Sequence, residues 1–246
     1  SEHMNYTITY LKCQSCTAKI HCDACADEIR ERLLKENVKA NVDIPNRSAA
    51  IETAMDEDDL LDLLEEADAV ADPLALFCVC PVEDGKVNGV ETGSALVRER
   101  LCGKVRAFPY IVTCGPKLEE WSKGYEQDYL LGFWADEIKK RFLGIAAAAF
   151  REHIKTTYHT AGHLAALNPG SLAGWPISGQ EALFDMLGGP DFVREAIGVT
   201  YSDSFLMFPT KTISGIAFES EAFYENCQYC PLDRCPNRRA KRLKEE

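Results

Sequence analysis

Thiols are where this sequence concentrates its chemistry. Cys13, Cys16, Cys22 and Cys25 stand as C-x2-C-x5-C-x2-C within thirteen residues, and Cys227, Cys230 and Cys235 as C-x2-C-x4-C near the other end. Four thiolates so close together can close around one Zn²⁺ or one iron–sulfur cluster. The five-residue gap is shorter than zinc ribbons use and nearer the spacings of ferredoxin runs, so iron–sulfur is favoured, with [4Fe–4S] the expected type. The terminal triad leaves one iron ligand to find, which Cys78, Cys80, Cys102, Cys114 or an exogenous group could supply. Pro231 and Pro236 keep that segment from becoming helical, which suits wrapped ligands. Otherwise Cys78, Cys80, Cys102 and Cys114 read as buried small residues. Eleven cysteines, an odd and closely paired set, point to metal or redox chemistry in a reducing compartment, here the cytoplasm, and away from a disulfide framework.

Other chemistries find little support. His21, His153, His159 and His163 form no H-E-x-x-H pattern, and His159 and His163 read as helix-end polar residues. His3 precedes Met4 in what reads as an expression remnant and joins no site. There is no G-x-S-x-G, P-loop or G-x-G-x-x-G, which leaves hydrolase, nucleoside-triphosphatase and simple Rossmann readings without a motif. A net charge of −12, from 27 basic and 39 acidic residues, argues against a nucleic-acid partner. No apolar run approaches the roughly 20 residues of a membrane span.

The elements that must hold these thiols read as α+β. Residues 6–11 are β-prone, 26–35 helical, and 38–44 and 49–53 strand-like around the Pro45-Asn46 turn. Residues 56–59 place acid in the first turn of a helix, whose buried face is Leu60, Leu61, Leu63 and Leu64. A strand over 73–79 completes a β-α-β-β-α-β ferredoxin-like order. Asp84-Gly85 and Asn88-Gly89 then mark a hairpin or a boundary. Beyond them, a short helix is expected over 94–101 and a buried strand over 107–113. The longest helix is expected over 128–155, with Leu130, Trp134, Ile138, Phe142, Ile145 and Ala149 as its core stripe. A Gly/Pro loop over 168–174 leads to a helix over 180–187 and strands over 197–199, 205–209 and 212–218. This divides the chain into a Cys-rich module (4–82), a second module (83–226) expected to hold its own core, and a Cys-rich tail with a basic end (227–246).

Two resemblances bear on function. Cys13-Gln14-Ser15-Cys16-Thr17-Ala18-Lys19-Ile20 and Cys22-Asp23-Ala24-Cys25-Ala26-Asp27-Glu28-Ile29 each resemble the C-x-x-C-A-x-x-I loop of heavy-metal-associated domains, which implies capture of a soft cation. Residues 83–240 resemble the activation domain of cobalamin-dependent methionine synthase, and more closely its stand-alone relatives in anaerobes. The likeness is carried by Asn168-Pro169-Gly170-Ser171-Leu172-Ala173-Gly174-Trp175, similar to that family's Arg-x-x-Pro-Gly-Tyr loop. It is carried also by Pro209-Thr210-Lys211-Thr212-Ile213-Ser214-Gly215, similar to its Pro-x-x-Ser-Val-Ser-Gly strand. The resemblance implies a twisted antiparallel sheet with flanking helices. It further implies a groove at Asn168, Pro169, Gly170, Ser171 and Trp175, in which the family holds S-adenosylmethionine while a reductant supplies cob(I)alamin for methylation. The family's arginine and tyrosine fall here at Ala166 and Ser171. Alanine cannot make the bidentate carboxylate pair, so S-adenosylmethionine is not expected to bind in the family's manner.

The leading expectation is therefore an iron–sulfur protein of corrinoid metabolism. It would transfer electrons to, or reactivate, a corrinoid protein or methyltransferase, with a separate redox partner. The alternatives are a protein that handles Cu or Zn through the first quartet, and S-adenosylmethionine-dependent reductive methylation of cobalamin.

Overall fold

The structure is a computed structural model that describes residues 55–222, with 6–9, 31, 34, 224, 226–228 and 240–242. Five strands form the body of one antiparallel sheet: β1 (Tyr6–Thr9), β2 (Leu74–Cys78), β5 (Arg106–Thr113), β9 (Thr212–Ser220) and β6 (His163–Leu167), adjacent in that order. The short pair β3 (Cys80–Glu83) and β4 (Lys86–Val87) extends it. Leu74 lies opposite Thr113 and Cys80 opposite Ala107, so β2 and β3 run along β5 in one unshifted register. The ladder lapses only opposite Phe108 and Pro109, and Pro109 has no N–H to give.

Local rules account for the element ends. Asp56 caps α1 (Glu57–Val70), its carboxylate accepting from the Asp58 amide at 3.0 Å, and the acids that follow sit where the helix dipole favours them. Leu60, Leu63, Leu64 and Ala67 are its buried face, whereas Leu61 is half-buried. Asp84 and Gly85, both at positive φ, make the tight β3–β4 turn, and Asn88-Gly89 repeats it. Ser94 caps α2 (Ala95–Leu101) and Asp128 caps α4 (Tyr129–Tyr158). Two helices absent from the sequence reading, α3 (Pro116–Lys123) and α6 (Pro190–Ile197), each begin with proline directly after a glycine. Between them lies α5 (Gln180–Met186), and the small hairpin β7 (Thr200–Tyr201) and β8 (Met207–Phe208) precedes β9.

The core has three parts. One sheet face, with Leu74, Leu76, Ile111 and Ile216, packs on α2, α5 and α6. The opposite face, with Phe77, Phe108 and Tyr110, packs on Ala146, Phe150 and Ile154 of α4. The first half of α4, with Trp134, Ile138 and Phe142, packs instead with α1 and α3. The buried residues of α4 thus recur every fourth position, and the buried stripe winds around the helix from one partner set to the next.

Some expectations change. His163 is the exposed first residue of β6, whereas His159 does end α4, in a left-handed cap conformation. Ile197 closes α6 and does not begin a strand. The expected strands over 38–44 and 49–53 lie outside the described residues. β1 and β2 of the first expected module are hydrogen-bonded into the same sheet as β5 and β9, so the division at residue 82 falls in a hairpin of a continuous sheet. No described helix is long and apolar enough to cross a membrane.

Candidate functional site

The loop between β6 and α5 starts with a tight turn. Ser171 donates its N–H to the Asn168 carbonyl at 3.2 Å, with Pro169 and Gly170 in the middle. Gly170 has φ +77°, which is the type II arrangement that proline followed by glycine favours. The loop is then pinned from beneath. Gly170 donates to the Trp175 carbonyl at 2.9 Å, and the Ser94 hydroxyl donates to Gly174 at 2.6 Å. The indole of Trp175, fully buried, donates to the Thr92 carbonyl at 3.3 Å. Of the expected groove residues, Gly170 and Ser171 are exposed, Asn168 is half-buried, and Pro169 and Trp175 are buried. Trp175 shapes the loop from the core.

Asn168 is the junction of the site. Its side-chain amide donates to the Tyr110 hydroxyl at 2.9 Å and to the Ser214 carbonyl at 2.7 Å. Its carbonyl accepts from the Asn226 side chain at 2.6 Å. Ser214, in turn, donates to the buried Gln180 side chain at 2.8 Å. One carboxamide therefore joins β5, β9 and the terminal segment beside Cys227. Gly215 makes the approach possible: a Cβ there would come within 2.5 Å of the Leu167 carbonyl and 2.6 Å of the Asn168 amide. The Asn226 side-chain oxygen is buried and has no hydrogen-bond partner among the described residues, which leaves an acceptor at the base of the loop.

A second network fixes the strand that carries Ser214. Glu119 of α3 and Lys139 of α4 form a buried ion pair at 3.3 Å, and the Glu119 carboxylate also accepts from the amide and hydroxyl of Thr210. Lys211 pairs with Asp136 at 2.8 Å. Thr212 donates to Thr113. Burial first, and then the Glu119 carboxylate, push the adjacent Cys114 thiol up to about 12.

The expected thiol ligands divide. Cys13, Cys16, Cys22, Cys25, Cys230 and Cys235 lie outside the described residues. Cys227 is half-buried in a short turn at Asn226–Gln228. Among the described residues, no group of three or more Cys, His, Asp or Glu side chains could hold a metal ion. Cys102 is exposed, and Cys78, Cys80 and Cys114 are buried. The sequence reading missed Tyr110, Asn226, Glu119 and Lys139. Only Asn226 carried a signal, as a polar residue directly before the terminal thiols. Ala166, where the resembled family has arginine, packs its methyl toward the α4 face of the sheet and offers no charge to a carboxylate.

Neither a protein-family model nor a curated protein matches the chain in sequence. Among solved structures, the MetH reactivation domain bound to AdoHcy is similar with a TM-score of 0.57 at 13% identity, over 92% of this chain and 82% of that one. This chain thus has an α+β, methionine-synthase-reactivation-domain-like fold.

Proposed function

We propose that this protein reactivates a corrinoid enzyme or methyltransferase by passing it electrons from iron–sulfur clusters held by its thiols. The observation that carries the reading is the Asn168–Asn226 hydrogen bond. In a reactivation-domain-like fold, that bond ties the residue before Cys227 to the turn at Pro169-Gly170. The terminal triad Cys227, Cys230 and Cys235 would hold one cluster beside the loop, and Cys13, Cys16, Cys22 and Cys25 a second. A cluster near the surface suits one-electron exchange, its potential set by hydrogen bonds and exposure around the sulfurs. The structural neighbour binds AdoHcy. The donor set here does not fit S-adenosylmethionine held through an arginine–carboxylate pair, because Ala166 has no charge to offer. The exposed acids of α1 give one face of the chain a negative field that would steer a basic partner surface.

The test is anaerobic purification of the full chain with iron and acid-labile sulfide analysis, followed by mixing the reduced protein with hydroxocobalamin. The expected outcome is iron and sulfide together, a visible absorption that bleaches on reduction, and conversion of the cobalt(III) probe to cob(II)alamin. Colourless protein that carries zinc or copper would overturn the reading in favour of soft-metal handling. Calorimetric titration should show no micromolar affinity for S-adenosylmethionine; such an affinity would instead support the methyl-donor alternative.

A further inference from the structure

Cys78 and Cys80 face each other across one residue of the strand along β5. Their sulfurs are 2.9 Å apart, and both side chains are almost fully buried, at 2% and 1% exposure. Val79 between them points outward and is partly exposed. No metal-binding role is required of either. The Cys78 sulfur also lies 3.5 Å from the Met186 carbonyl at the end of α5. Two steps along a strand span roughly 6.6 Å, inside the upper edge of the Cα separations, about 4.4–6.8 Å, that a disulfide accepts. The pair stands where the ladder of β2 and β3 along β5 lapses, opposite Phe108 and Pro109, so the backbone between the sulfurs is released from pairing on that side.

We propose that Cys78 and Cys80 are a peroxide-reactive dithiol that closes to an intrastrand disulfide. Burial admits only a small oxidant. The Cys80 sulfur attacks hydrogen peroxide to give a sulfenic acid and one water. The Cys78 sulfur then displaces the hydroxyl from Cys80 as a second water and forms the S–S bond. Two thiols lose two protons and two electrons, and peroxide is reduced to two waters. The direction follows from the contact: the hydrogen bond from Cys78 holds Cys80 below the ordinary thiol range, while the same contact, then burial, raises Cys78. Closure also draws the Cys78 sulfur toward Cys80 and away from the Met186 carbonyl, 3.5 Å distant at the end of α5. That helix begins at Gln180, which holds Ser214 in the loop network.

The sequence supplies a clean assay. No lysine or arginine occurs between Arg47 and Lys86, so trypsin releases residues 48–86 as one peptide whose only cysteines are Cys78 and Cys80. The folded full chain is treated anaerobically with hydrogen peroxide, quenched, unfolded in iodoacetamide and digested. The expected peptide is lighter by two hydrogens, takes no alkyl group, and takes two after dithiothreitol. In Cys78→Ser, Cys80 should instead gain oxygen and form no bridge within the peptide. Exposed Cys102 serves as the internal control for oxidant. If Cys102 is oxidised while the 48–86 peptide still takes two alkyl groups, or gains oxygen at one sulfur without bridging, the proposal is wrong.

Discussion

At the scale of single residues, Asn168 is committed on both donors and its acceptor, so no single replacement can serve it. Asn168→Ala leaves the Ser214 carbonyl and the Asn226 amide without their partner and should cost about 1–3 kcal/mol. Asn168→Asp still accepts from Asn226 but places a carboxylate against the Ser214 carbonyl, so it should be no better than alanine. Urea midpoints rank the two, and an aspartate variant as stable as the parent would mean that the donors are not used. Cys114 gives a pH dependence with a definite sign. Its folded pKa of about 12 lies above the ordinary 9.0, so the stability it contributes is complete below pH 9 and drains away as pH rises toward 12. Cys114→Ala should flatten the alkaline loss of stability. Iodoacetamide at pH 8 should label Cys102 and spare Cys114 in the folded chain.

At the scale of elements, α3 and α4 clamp the strand entry at Thr210 through a buried pair whose side chains are 9% and 7% exposed. Removing either charge takes the other's nearest partner from the core, with Asp136 at 3.9 Å left to Lys139. Lys139→Met should therefore cost about 3–5 kcal/mol and Glu119→Leu somewhat less, whereas the double variant should recover most of the loss. Additive losses in a double-mutant cycle would show the two charges to be independent. This clamp was not legible in the sequence, because α3 is two turns long and hides behind Gly115-Pro116, while Lys139 stands in the charged run Asp136–Arg141 and reads as one more solvent-facing cation. The long helix was legible from its stripe, although a pattern in one dimension does not reveal that its two halves face different partners. The Pro169-Gly170 turn was legible because its chemistry is local. Its tether to Asn226 was not, since 58 residues separate the two asparagines and only the folded sheet brings them together. β6 was missed for a related reason: a strand that reads His-Leu-Ala-Ala-Leu has weak alternation and owes its place to β9.

At the scale of the whole molecule, the sheet decides what can be cut. A chain beginning at Pro81 would lack β1, α1 and β2. It would lose Leu60, Leu63 and Leu64 from the core around α4, Leu74 and Leu76 from one sheet face, and Phe77 from the other. Each of these six large side chains is worth about 2–5 kcal/mol in place, against a net stability of about 5–15 kcal/mol for a domain. One flank of β5 would also be left with unpaired amides and carbonyls along most of its length, an open template for association. That fragment should therefore fail to fold, whatever its terminal thiols can bind. A chain beginning at Met55 keeps α1, β2 and all three core clusters and loses only the edge strand among the described sheet elements. It should retain most of the helical circular dichroism of the parent, that of α1 to α6, and a single cooperative urea transition, at a lower midpoint because β2 becomes an edge. Comparing the two truncations separates a sheet that the whole chain builds together from a second module with a core of its own. Cooperative unfolding of the Pro81 fragment would establish the latter, and it would mean that β5 and β9 hold their faces without the strands and helix that cover them here.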